Sequence, residues 1–118
     1  MSSKPVTFMS ASPPALTAFA PGRADTKVSA TLHFPAKTDG PVAAALICDA
    51  LPRSCPNEAA RTAHLLARHG MAALVVDSFA ARGFGLSMHP IRLLRVTEAM
   101  MLADAFAALT WLGARPDI

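Results

Sequence analysis

Two unbroken apolar runs, Val42-Ala-Ala-Ala-Leu-Ile-Cys48 and Ala72-Ala-Leu-Val-Val76, stand out from the polar residues around them. Apolar runs of strand length without alternation suit strands buried on both faces, as in a parallel sheet. Between the runs the period changes. Ala59, Ala63, Leu65, Leu66 and Ala67 trace a helical stripe. Asn57 follows Pro56 as an N-cap, Glu58 falls in the first turn, and Gly70 stands at the C-cap. These signals predict strands over 42–48 and 72–77 and a helix over 57–69. Strand, helix and strand with short connections predict a right-handed βαβ unit with parallel strands.

The flanking segments carry weaker patterns. Thr26 to Phe34 alternates, with Val28, Ala30, Leu32 and Phe34 on one face and Lys27, Ser29, Thr31 and His33 on the other. That pattern predicts an antiparallel or edge strand over 26–34 with one solvated face. The turn Pro35 to Pro41, with Asp39-Gly40 at its tip, would let this strand pair as a hairpin with the run that follows. Residues 1–25 hold scattered Pro and Ser without a clear period, which predicts a flexible N-terminal arm or a loosely attached edge strand. Residues 83–90 are a glycine-containing loop ended by Pro90. Residues 91–112 then read as one long helix. Its apolar face holds Leu94, Met101, Ala105, Ala108 and Leu112, with Thr97, Glu98 and Asp104 on the other side. The expected class is α/β, a mostly parallel sheet with flanking helices. A parallel sheet needs cover on both faces, so the chain reads as the first half of a larger sheet.

Composition narrows the function classes. The chain has 118 residues, 53% hydrophobic and 16% charged, enough for one core and too apolar for a disordered segment. Its net charge of +3 comes from scattered Lys and Arg, without the basic patch and interleaved aromatics that nucleic acid requires. No apolar run reaches membrane-spanning length, and the first residues lack a signal-peptide core. These features predict a cytoplasmic protein with no nucleic-acid or membrane partner. Cys48 and Cys55 match no zinc spacing, and the spacing favours free thiols. His64 and His69 are five apart, off any shared helical face, and His33 falls on a polar strand face. His89 precedes Pro90 in a loop. No metal site or cofactor is expected. Gly83 and Gly85 suggest a nucleotide-binding loop, but Met88 stands where G-x-G-x-x-G needs its third glycine.

The order of segments resembles the dienelactone hydrolase family of α/β-hydrolases. The resemblance spans about residues 26–118 and is strongest over 65–85. It is carried by the helix end Ala67-Arg-His-Gly70, the segment Met71 to Gly85 with its Asp77-Ser-Phe79 and Arg82-Gly83, the Ala/Leu-rich helix, and the final Ala114-Arg-Pro-Asp-Ile118. Family members typically show a GY-x-AL-x-xDSF-x-xRG segment, then a helix, an RPD link, and a strand running into a G-x-S-x-G or G-x-C-x-G elbow. The resemblance implies hydrolysis of a small-molecule ester or lactone by a Ser or Cys nucleophile with His and Asp. In the family the elbow follows the positions where this chain stops, so residues 26–118 are expected to be a partial domain lacking all three catalytic positions.

What the resemblance does imply is the oxyanion side. One backbone N–H of the oxyanion hole comes from the loop after the early strand, here Ala50 or Leu51. Asp49 stands where some members place an acid near the nucleophile, and it reads equally as a strand-end carboxylate capping a turn. Pro52 removes one donor from the same loop. Arg82, at a strand end, could hold a substrate carboxylate through its fork, or could bond loop carbonyls or Asp77 instead. Asp77 itself fits a turn-fixing role. An open strand edge and an apolar helix face imply self-association.

Overall fold

The computed structural model describes residues 1–13, 25–48, 58–82 and 96–118. Its elements are β1 (Ser2–Ser10), β2 (Thr26–Phe34), β3 (Ala44–Cys48), α1 (Glu58–Arg68), β4 (Ala72–Asp77), a single 3-10 turn (Ala80–Arg82) and α2 (Glu98–Gly113). The two apolar runs pair side by side and in parallel, from Ala44 opposite Ala72 to Cys48 opposite Val76. The helix between them ends as its sequence dictates. Gly70 adopts a left-handed φ of 84°. Its N–H donates to the Ala67 carbonyl, and the Met71 N–H reaches back to the Leu66 carbonyl at 3.0 Å. These two bonds form a Schellman stop, which turns the chain directly into β4.

The sheet differs from expectation in three ways. Its order is β1-β2-β4-β3, and of its neighbouring pairs only β3–β4 is parallel. The expected mostly parallel sheet is therefore a mixed one. The hairpin between 26–34 and 42–48 does not form, because β4 lies between those strands. β4 buries Ala72, Ala73, Leu74 and Val76, using both of its faces, whereas β3 is half-buried over Ala44–Ile47 and exposed at Cys48. The strand with the most apolar surface on two faces gains most from a place inside the sheet. Finally, residues 2–10, expected as a flexible arm or a loosely attached edge strand, take the second form as the edge strand β1, antiparallel to β2 along nine residues from Ser2 opposite Phe34 to Ser10 opposite Thr26. β2 is thus interior rather than an edge. Pro5, which has no N–H for a ladder, is tolerated on such an outer strand.

Each face of the sheet carries a helix. On one face Phe8, Val28, Ala30, Leu32, Ala72, Leu74 and Val76 form the core with Ala108 and Leu112 of α2. Leu74 is fully buried, and a side chain of that kind contributes about 1.5–3 kcal/mol by leaving water. On the opposite face α1 buries Ala63 and Ala67. α2 spans Glu98–Gly113; of the helix expected over 91–112, residues 91–95 lie outside the described residues. Thr97 caps it, its hydroxyl accepting the Met100 N–H at 3.1 Å while donating to the Pro13 carbonyl at 3.0 Å. The helix is also rotated from the expected orientation. Asp104 faces the sheet with Ala103 and Ala108, while Leu102, Phe106 and Leu109 are exposed. No helix among the described residues is long and apolar enough to cross a membrane.

Candidate functional site at the carboxyl-end edge of the sheet

Strand register brings the ends of β1, β3 and β4 and the start of β2 to one edge. Ser10 lies opposite Thr26, Ser29 opposite Asp77, and Cys48 opposite Val76. In open α/β sheets the carboxyl ends of parallel strands are where chemistry is placed. Asp77 closes β4 and shapes the exit. Its Oδ1 accepts the Phe79 N–H at 3.2 Å and the Ala80 N–H at 3.0 Å, an Asx turn that starts the 3-10 turn. The Arg82 N–H then bonds the Phe79 carbonyl at 3.1 Å, and the tight turn directs the Arg82 side chain inward.

The guanidinium is almost fully enclosed, its side chain 8% exposed against a fully buried Asp104. All five of its N–H donors have partners in the chain. Nη1 donates to Asp104 Oδ2 at 2.7 Å and to the Ser78 carbonyl at 2.9 Å. Nη2 donates to Asp104 Oδ1 at 2.9 Å and to the Ala11 carbonyl at 2.8 Å, and Nε donates to Ser12 Oγ at 3.1 Å. Asp104 Oδ1 also accepts the Ser10 hydroxyl at 2.6 Å. Ser12 Oγ shares a hydrogen bond with Thr26 Oγ1 at 2.6 Å. This is a two-pronged, charge-assisted pair with its remaining lone pairs and protons satisfied, the condition under which burying two charges is tolerated.

The network ties β1, the exit of β4 and α2 into one unit. It leaves Arg82 no donor for a substrate carboxylate, so its place in the structure matches the alternative in which it bonds loop carbonyls. The acid it pairs with is Asp104 rather than Asp77. Asp104 stands out in the sequence as a single acid inside Met100-Met-Leu-Ala-Asp-Ala-Phe-Ala-Ala-Leu109, although periodicity puts it on the outer side of the helix. A buried carboxylate needs a cation, and the Arg of Asp77-Ser-Phe-Ala-Ala-Arg82 was the available one.

Cys48 ends β3 at the same edge as a free thiol. The residue is exposed by area, yet enough protein surrounds the thiol that desolvation, followed by the Asp104 carboxylate, raises its pKa. Near neutral pH it is a protonated thiol, a weak nucleophile. Ser10 is buried beneath the Asp104 carboxylate and has no histidine within this network. No nucleophile at this edge therefore has an activating base among the described residues. Asp49, Ala50 and Leu51, the expected oxyanion and acid positions, lie outside the described residues, as do Cys55, Asn57 and His89. Among the described residues no group of three or more His, Cys, Asp or Glu side chains could hold a metal ion.

On the α1 face, His33 departs from the solvated role its strand pattern suggested. It is 5% exposed. Its ring meets that of His64 from α1 edge to face, with centroids 5.1 Å apart, and its Nδ1 is bonded to Ser3 Oγ at 2.9 Å.

Among solved structures, the chain is similar to the crystal structure of the esterase domain from a Rhodothermus marinus protein, with 24% identity and a TM-score of 0.57. The match covers 99% of this chain and 37% of that one. At this identity the likeness concerns the fold, an α/β arrangement of the kind found in that esterase domain. The chain spans 37% of the length of the structure it matches. No protein-family model and no curated protein matches it.

Proposed function

We propose that residues 26–118 form the oxyanion-side portion of an esterase-type α/β-hydrolase domain that cleaves a carboxylic ester or lactone, as dienelactone hydrolases do. The observation that carries this reading is the strand order β1-β2-β4-β3 with a helix on each face, aligned over 99% of the chain with an esterase domain. The Asp77-Ser-Phe79 and Arg82-Gly83 residues support its finer form.

Ester cleavage needs a nucleophile, a base and oxyanion donors within hydrogen-bond reach of one carbonyl. No two of the six glycines stand four positions apart, so these residues contain no G-x-S-x-G or G-x-C-x-G elbow. Their part would be binding and orientation. The backbone N–H of Ala50 or Leu51 would stabilise the developing oxyanion, with Asp49 beside the nucleophile. Arg82 would be a positioning residue, holding the β4 exit against α2 rather than touching substrate. β3, paired on one side only among the described residues, offers an uncharged edge for a further strand or for self-association.

The missing elbow also favours a second reading, a non-catalytic α/β binding module. The two are separated by expressing the complete reading frame that encodes these residues, alongside this chain by itself. Both would be assayed on p-nitrophenyl acetate and on a dienelactone. The expected result is turnover by the complete product, abolished by substituting its elbow nucleophile, and none above background by residues 1–118. A complete product with neither elbow nor turnover would overturn the hydrolase reading in favour of the binding module.

A further inference from the structure

α1 is held to the sheet by little apolar area. It buries only Ala63 and Ala67, and Leu65 on the same helix is 53% exposed. Set into this thin contact is the edge-to-face pair of His33 on β2 and His64 on α1, with Ser3 of β1 bonded to the buried ring. The pair joins three elements at one point.

The surroundings offer a proton no compensation. Across the ladder, β4 places Ala73 opposite His33, and β1 places Ser3 there. Along α1 the nearest charged residues are Arg61, three before His64, and Arg68, four after it, both exposed. The Met1 amine lies two residues before Ser3. These neighbours along α1 and at the start of β1 are all positive. Among the described residues neither ring has a carboxylate partner.

We propose that the His33–His64 contact is an acid-released latch, which keeps α1 docked on the sheet when both rings are neutral and frees α1 when His33 is protonated. A proton on His33 puts a buried cation against the His64 ring with nothing to balance it. Undocking lets the buried His33 imidazole reach water; His64 is exposed already. The direction of the His33 pKa agrees: burial, then the neighbouring His64, lower it from the ordinary histidine value. A depressed pKa in the docked state means the undocked state binds more protons, so docking is complete above the ordinary value and is lost as pH falls through the lowered one. The α2 layer has no part in the latch. Its contacts are the apolar core on the opposite face and the buried Arg82–Asp104 pair.

The two layers can be read separately in the intact chain. Amide hydrogen exchange, corrected for intrinsic pH dependence, reports α1. Trp111, the single tryptophan, lies against the core on α2 and reports the other layer by fluorescence. For one histidine with an undocked pKa of about 6.5, the docked-to-undocked ratio falls by up to about tenfold between about pH 7.5 and 5.5. The expected result is that loss of α1 protection over this range, with Trp111 emission and β4 protection unchanged. His64→Gln keeps an exposed polar residue on α1 and should move the transition to lower pH. His33→Gln should remove it. Unchanged α1 protection from pH 7.5 to 5.5, loss in step with Trp111, or an unaltered transition in His33→Gln would each overturn the latch.

Discussion

Removing one partner of the Arg82–Asp104 pair should be the most damaging polar substitution in this chain. In Asp104→Leu, the guanidinium keeps Ser12, Ala11 and Ser78 as acceptors but loses both prongs of its fork, and the Ser10 hydroxyl loses its acceptor. In Arg82→Met, a fully buried carboxylate is left with Ser10 as its one remaining partner in the network. With side chains 8% and 0% exposed, water cannot relieve either orphan. Breaking a buried pair from one side costs about 3–5 kcal/mol. A domain of this size has about 5–15 kcal/mol in all, so each single variant should lose about a fifth or more of its stability.

The pair as a whole is worth less than the two single losses added together. Arg82→Met with Asp104→Leu removes both charges and leaves two hydroxyls and two carbonyls short of partners, at about 1 kcal/mol each. Apolar packing offsets part of this loss. The double variant should therefore be more stable than the sum of the singles implies, with a coupling energy of about 2–4 kcal/mol. Arg82→Lys keeps the charge but not the fork and should fall between wild type and Arg82→Met. Urea titration followed by Trp111 fluorescence measures all four proteins. With a slope of about 1–3 kcal/mol per molar, a 3 kcal/mol loss lowers the midpoint by about 1–3 M. Single variants that each cost under about 1 kcal/mol, or that add without coupling, would refute the reading of this network as a closed buried clamp.

Two further outcomes follow from local features. Thr97→Ala removes the N-cap of α2 and a bond to Pro13, and should cost about 1–2 kcal/mol in the same titration, whereas Thr97→Ser should restore most of it. The uncharged edge of β3 should support concentration-dependent association, visible by size exclusion with light scattering. A lysine at Ala45 should shift that equilibrium toward monomer, and a wild-type chain that stays monomeric at every concentration would exclude the edge as an interface.

The features that could be read from the chain were those whose cause is local. Gly70 is where a left-handed residue must end α1, because the two bonds of the stop involve residues only three and five positions apart. The runs 44–48 and 72–77 were legible as strands because each is an apolar run of strand length, though only β4 is buried on both faces, and their parallel pairing follows from the short helical crossover. Thr97 with Glu98 carried a start signal for α2 that was read instead as a gap in an apolar face. β1 carried an alternating pattern too, with Val6, Phe8 and Ser10 facing inward, but Pro5 and the serines around it resembled a disordered arm.

Tertiary structure decided the rest. Strand order depends on which strand gains most from the centre of the sheet, a comparison among segments far apart in the chain. That comparison places β4 between β2 and β3 and makes β2 antiparallel to it. Burial of His33 depends on α1 arriving over the nominally solvated face of β2. The roles of Arg82 and Asp104 depend on the rotation of α2, which turns one acid inward, 22 residues along the chain from the guanidinium. Periodicity by itself can specify a helix or a strand, since hydrogen bonding and the alternation of side chains are set within a few residues. It cannot specify which face of that element meets a partner, because the partner is chosen by the free energy of the assembled core.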